Sequence, residues 1–251
     1  MRKKSSFKQY FRHITFKIKP LLFILFLSLF IFLLLQVLNS FYQVKTIQIQ
    51  GNVNKNKIRG LENLKGQNLI FISDGYIIQT IEDNNPEIEL DEAELIYPNK
   101  ILLKLKPVET VAQLKLNQGF AVLSPDGRII KKIKQPEKYP IINFYQQFDA
   151  LQIIPGNRLN YKEIILVLYL LSKAQNLDLK IEDVDISGLN MIIFNLSKQS
   201  SESEGKKIYF SAEKAQEKQA FEFETLIRQF KIEARDFKIL DLRFDKPIIK
   251  F

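Results

Sequence analysis

Residues 21–38 read LLFILFLSLFIFLLLQVL, eighteen residues in which only Ser28 and Gln36 are polar. A helix of that length rises about 27 Å, close to the roughly 30 Å hydrocarbon core of a bilayer. On an insertion scale where Leu, Ile, Phe and Val each contribute about −0.3 to −0.6 kcal/mol, its sixteen apolar residues sum to roughly −5 to −10 kcal/mol. One Ser and one Gln near an end do not offset that. The stretch outruns the apolar region of a secretory signal, and residues 36–42 offer no small-residue cleavage site. A buried core helix is rarely apolar on every face. Residues 21–38 are therefore expected to span a membrane.

Charge orients the span. Arg2, Lys3, Lys4, Lys8, Arg12, Lys17 and Lys19 precede it, and no Asp or Glu occurs before Glu62. The twenty residues after it carry only Lys45, Lys55 and Lys57. The positive-inside rule then puts the basic tail, residues 1–20, in the cytoplasm and about 210 residues outside. Tyr10, Phe11, Phe41 and Tyr42 suit the two interfaces as aromatic anchors. The tail itself holds topology and touches anionic lipid. Removing its seven cations from the net charge of +9 leaves +2 for the rest. The basic excess is not spread over a folded face, so no nucleic-acid partner is expected.

The residue inventory excludes several chemistries. Cysteine is absent, so no disulfide, thiol nucleophile or zinc–thiolate site can form. The single histidine, His13, lies in the basic tail, which removes Ser–His triads and ordinary zinc sites from the exported part. No Walker or dinucleotide glycine loop occurs. Acidic pairs remain at Glu82/Asp83, Glu87/Glu89, Asp91/Glu92/Glu94 and Glu182/Asp183/Asp185. Two carboxylates suffice for a glycosidase, but most of these fall at expected turns or helix ends, where solvated acids are ordinary. The reading is a protein without catalytic activity, metal or cofactor.

Beyond the span the expected class is α+β. Ile47 and Ile49 alternate with polar neighbours in a half-buried strand over residues 44–50, ended by Gly51-Asn52. Ile58, Leu61 and Leu64 suggest an amphipathic helix over residues 57–65, stopped by Gly66. Ser73 and Asp74 cap a second helix bearing Ile77, Ile78 and Ile81, closed before Pro86. Strands follow at residues 93–97 and 101–105 around a Pro98-Asn99-Lys100 turn. That order, strand, helix, helix, strand, strand, makes one compact module over residues 43–110.

A mostly β domain with two helices is expected over residues 111–251. Its marks are a hairpin at Ser124-Pro125-Asp126-Gly127 between residues 120–123 and 128–133, and a helix over residues 160–174. Strands at 179–186 and 191–196 flank a turn at Ser187-Gly188-Leu189-Asn190. Residues 197–205 (SKQSSESEG) read as an exposed loop. A strand at 206–210, a helix at 212–228 and strands at 239–244 and 248–251 complete the chain. In the strand at 239–244, Leu240, Leu242 and Phe244 are expected to face a core, with Asp241 and Arg243 pointing away.

A basic tail, one span and then V-x-x-I-x-I-x-G-N resembles the bacterial cell-division proteins FtsQ and DivIB. The resemblance continues through Gly66-Gln67-Asn68-Leu69, similar to the family's G-x-N-L, and Tyr97-Pro98-Asn99, similar to its aromatic–Pro turn. Val108-Glu109-Thr110-Val111-Ala112 resembles the family's domain linker, with Thr110 at the usual proline position and Pro107 at the usual Glu. Leu123-Ser124-Pro125-Asp126-Gly127 is similar to its I-D-x-x-G hairpin, and Ile239-Leu240-Asp241-Leu242-Arg243-Phe244 to its I-D-L-R-aromatic strand.

The resemblance implies that the first module is a POTRA domain and the second an FtsQ-type β domain. It implies a non-catalytic scaffold of the divisome, single-pass in the cell membrane at the division septum, that recruits and regulates septal peptidoglycan synthesis. Its implied partners are FtsB- or DivIC-like and FtsL-like membrane proteins, with other divisome components meeting the POTRA domain. A partner segment would add as a strand to the C-terminal sheet edge, at Asp241, Arg243, Phe244, Ile248, Ile249, Lys250 and Phe251, where the chain stops with nothing downstream to cover it. Arg243→Glu is expected to weaken capture with thermal stability nearly unchanged. The alternative is a membrane-anchored single-POTRA adaptor of another export or envelope-assembly system.

Overall fold

The computed structural model describes residues 6–197 and 205–251, with side chains from Phe23 onward. Most of the expected loop at 197–205, and the side chains of the basic tail, lie outside what is described. Helix α1 runs Ser6–Phe41, so it begins ahead of the apolar stretch and continues through Asn39 and Ser40 beyond it. Its segment Phe23–Phe41 is long and apolar enough to cross a membrane, and none of it is buried within the protein. The core-helix reading therefore has no packing to support it.

The rest forms two compact units. One gathers the chain up to Gln50 with Gly60–Thr80 and Asp91–Lys104, and the other holds Gly51–Arg59, Ile81–Leu90 and Leu105–Phe251. Strands β1 (Thr46–Gln50), β2 (Ile88–Ile96) and β3 (Lys100–Pro107) form a sheet in the order β1-β3-β2. β1 runs parallel to β3, with Ile47 opposite Ile101 and Ile49 opposite Leu103. Val44, Leu64, Leu69, Ile77, Ile101 and Leu103 are buried in the first unit.

The helix expected over residues 57–65 is instead a 3-10 turn at Lys55–Lys57 and a one-turn α2, Leu61–Leu64. Gly60 sits between them in the left-handed region (φ 86°), and a helix cannot pass through that conformation. α3 (Asp74–Asn84) starts where Ser73 Oγ accepts from Tyr76 N at 3.3 Å. Ile77 and Ile81 are buried, but Ile78 is largely exposed, because one residue along a helix turns the side chain by about 100°.

The second unit is built on nine strands. In chain order these are β4 (Ala112–Lys115), β5 (Phe120–Leu123), β6 (Ile129–Ile133), β7 (Ile141–Phe144), β8 (Ile181–Gly188) and β9 (Met191–Leu196). Then come β10 (Lys207–Phe210), β11 (Ile239–Asp241) and β12 (Ile248–Lys250). Their order across the sheet is β12-β11-β10-β9-β8-β7-β4-β5-β6. β7 is parallel to both β4 and β8, β10 is parallel to β11, and the remaining pairs are antiparallel.

Helices α4 (Lys162–Asn176) and α5 (Gln216–Glu233) join one face of this sheet in a single apolar cluster. Ile164, Leu168 and Leu171 from α4 and Phe223 and Ile227 from α5 meet Val184, Phe194, Ile208, Phe210 and Leu240 there. The rings of Phe194, Phe210 and Phe223 follow one another at 4.9 and 5.4 Å, edge to face. α5 begins four residues later than its composition suggests, since Ala212–Ala215 is taken up by a turn in which Lys214 N bonds Ser211 O. The alternation of the strands leaves Asn143, Asp183, Asp185, Asn195, Lys207 and Tyr209 on the opposite face.

Candidate partner-binding edge

Two borders close the nine-stranded sheet, and they differ. At β6 the neighbouring segment returns main-chain bonds: Ile129 N donates to Asn157 O at 2.8 Å and Gly156 N to Ile129 O at 2.8 Å. Lys131 pairs with Glu137 at 2.7 Å and Lys132 Nζ reaches Ala150 O at 2.9 Å. That border is covered and charged, as protected edges are. β12 pairs with β11 on one side, and among the described residues no strand lies on its other side.

The register sets Ile239 against Lys250, Leu240 against Ile249 and Asp241 against Ile248. β11 ends at Asp241, three residues short of the strand expected to reach residue 244. Residues 242–247 form a bend instead, and the cause is a clasp. Lys214 Nζ donates to Glu222 Oε2 (2.6 Å), Leu242 O (2.8 Å) and Phe244 O (2.7 Å), which uses all three of its protons. Lys218 Nζ holds Asp245 Oδ1 at 2.9 Å. No spacing in the sequence marks either lysine, because each acts across the fold on a loop that is distant in the chain.

Arg243 and Asp241 are not the free outward groups that alternation suggests. Asp241 is buried, and it accepts from Arg243 Nε at 2.9 Å and Arg243 Nη2 at 2.6 Å. The guanidinium lies over the rings of Tyr209 (5.2 Å) and Phe244 (5.4 Å), and its side chain is only 23% exposed. Burial alone would push the Asp241 carboxyl up, but the Arg243 hydrogen bonds and charge hold it below its ordinary value. The same bond holds Arg243 protonated more tightly.

Leu240 and Leu242 are fully buried as expected, whereas Phe244 is 51% exposed, because the bend turns it out of the strand's alternation. Ile248 and Phe251 are exposed too, while Ile249 packs against the core and Lys250 faces solvent. The border thus presents three apolar side chains, Phe244, Ile248 and Phe251, beside an unpaired strand. An open cleft of about 700 Å³ adjoins it, lined in part by Asp183, Asn195, Lys207, Lys238 and Lys250.

The acidic run on β8 is tied into that polar face. Asn195 Nδ2 donates to Asp183 Oδ1 (2.7 Å) and Asp185 Oδ2 (2.8 Å), and Asn143 Nδ2 donates to Asp185 Oδ1 (2.9 Å). Desolvation raises the Asp183 carboxyl, against the Asn195 bond and with help from the charges of Asp185 and Glu182. These acids stand mid-strand rather than at a turn. Among the described residues no group of three His, Cys, Asp or Glu is placed to hold a metal ion.

No protein-family model matches the chain. Over 145 residues it is 28% identical to the cell division protein DivIB of Clostridium botulinum strain Hall, and equally to that of strain Loch Maree. These likenesses support a distant relation to the FtsQ/DivIB family. The match covers 57% of this chain and 55% of each DivIB, so the chain spans about half the length of the curated relatives it matches. Those DivIB proteins are cell-division proteins by name.

Proposed function

We propose that this chain is a membrane-anchored, non-catalytic scaffold of the division machinery. Segment Phe23–Phe41 is its span, the basic tail lies in the cytoplasm, and residues 43–251 lie outside at the septum. Residues 43–110 are read as a POTRA domain and residues 111–251 as an FtsQ-type β domain. Its partners are FtsB- or DivIC-like and FtsL-like membrane proteins, through which it recruits and regulates septal peptidoglycan synthesis.

One observation carries the mechanism. Among the described residues β12 has a strand on one side alone, with Phe244, Ile248 and Phe251 exposed beside it. Unpaired N–H and C=O groups in a row accept an extended segment as a further strand, and flanking apolar side chains give that segment its register. Ile248 and Phe251 contribute the anchors, and Asp241 and Arg243 hold the bend that presents them. Ile248→Asp combined with Phe251→Asp should abolish co-purification of the partner from membranes while the melting temperature hardly moves. Capture at the parental level by a folded double variant would remove the edge from the mechanism. A fluorescent fusion spread evenly round the envelope, rather than gathered at the division site, would favour an adaptor of another envelope system.

A further inference from the structure

The turn after α2 is bound to the end of α1. Val44 N donates to Gln67 O and Leu69 N to Tyr42 O, both at 2.9 Å, and Gln43 bridges Asn68 in antiparallel fashion. Asn68 Nδ2 reaches back into α1 itself, to Asn39 Oδ1 at 2.7 Å. The other end of that amide shapes the turn: Asn68 Oδ1 accepts from Ile70 N at 2.9 Å, and Asn68 O from Phe71 N and Ile72 N at 3.0 Å. Leu69 is fully buried beneath, while Ile70 is thrown outward and Phe71 is 83% exposed.

Phe41 and Tyr97 are also largely exposed, and the rings of Phe41, Tyr42 and Tyr97 follow one another at 5.4 and 6.3 Å. Side chains held outward on a hydrogen-bonded turn form a fixed apolar surface, and such a surface marks an interaction site. Position names what covers it. The apolar segment of α1 ends at Phe41, and Asn39 and Tyr42, on either side of that end, are among the residues that hold the turn. A bilayer crossed by Phe23–Phe41 ends at the same level, where aromatic rings are favoured.

We propose that Ile70 and Phe71, with Phe41, Tyr42 and Tyr97, form a wedge that enters the headgroup region of the leaflet in which α1 ends, so that bilayer lipid is the ligand of this surface. The inference rests on reading α1 as a span. It gives the first unit a second hold on the membrane, through an apolar patch buried at the headgroup–acyl boundary.

The chain has no tryptophan, so a single substitution supplies the only indole reporter. Phe71→Trp, Phe30→Trp and Phe221→Trp are compared in the full chain, reconstituted in phosphatidylcholine vesicles whose acyl chains are brominated near the headgroup or near the tail end. Phe221 is exposed on α5 and serves as the aqueous reference. Phe30→Trp should lose emission to deep bromines, and Phe71→Trp to shallow ones, with its maximum blue-shifted from that of Phe221→Trp. Adding Ile70→Asp to Phe71→Trp should relieve the quenching. Quenched Phe30→Trp beside a Phe71→Trp spectrum matching Phe221→Trp overturns the wedge and leaves the span standing. Quenching that ignores Ile70→Asp overturns it as well, and an unquenched Phe30→Trp removes both span and wedge.

Discussion

Gly51 and Gly66 both hold backbone conformations that side-chain-bearing residues avoid, in opposite surroundings. At Gly51 (φ +123°) an added Cβ would stand 1.8 Å from Leu105 O, a main-chain atom that cannot swing aside. At Gly66 (φ +78°) nothing lies within 4 Å. Gly66→Ala should therefore cost only the backbone term, about 1–2 kcal/mol. Gly51→Ala should add overpacking of about 1–3 kcal/mol or more to a similar strain. Chemical denaturation of the two variants checks the ranking, and equal losses would mean that the Leu105 carbonyl yields. Both glycines are legible in the sequence as turn positions. Their unequal tolerance is not, because it depends on a strand more than fifty residues away.

At the level of elements, the bend over residues 242–247 shows how tertiary contacts override a local pattern. Alternation over residues 239–244 reads as a strand with Arg243 outside, but the Lys214 clasp and the Asp241–Arg243 pair end it at Asp241. Arg243→Glu would set like charges together and leave a buried carboxylate with the backbone N–H of residue 243 in place of the guanidinium. The expected loss is at least about 1.5–3 kcal/mol, in place of the neutral outcome that the pattern alone suggests. An unshifted melting temperature would show the pair to be incidental. The long elements were readable: α4, α5, β8 and β9 all carry clear periodicity. β4 and β7 were not individually marked, since four residues give too little period, and their parallel pairing joins distant segments. The edge strand was legible as a strand, but the apolar trio beside it depends on a bend that no spacing announces.

For the whole molecule, pH sorts the carboxylates into two groups. Asp241 and Asp245 are held below their ordinary value, so the stability they contribute is complete above 3.8 and is lost as pH falls through their lower folded values. Asp183 is raised, so the folded state binds its proton more tightly and ionised Asp183 costs stability at neutral pH. Asp183→Asn keeps an acceptor for Asn195 and should raise the melting temperature at pH 7. That gain should vanish below 3.8, where the parent is protonated in both states; a gain that persists in acid would point to packing instead. The border strand β12 is only three residues long. It can exchange no more than a handful of main-chain bonds with a guest, too few to give tight affinity from free solution. A guest tethered in the same bilayer meets it at a high local concentration, so short-lived contacts can sustain occupancy and still allow prompt disassembly.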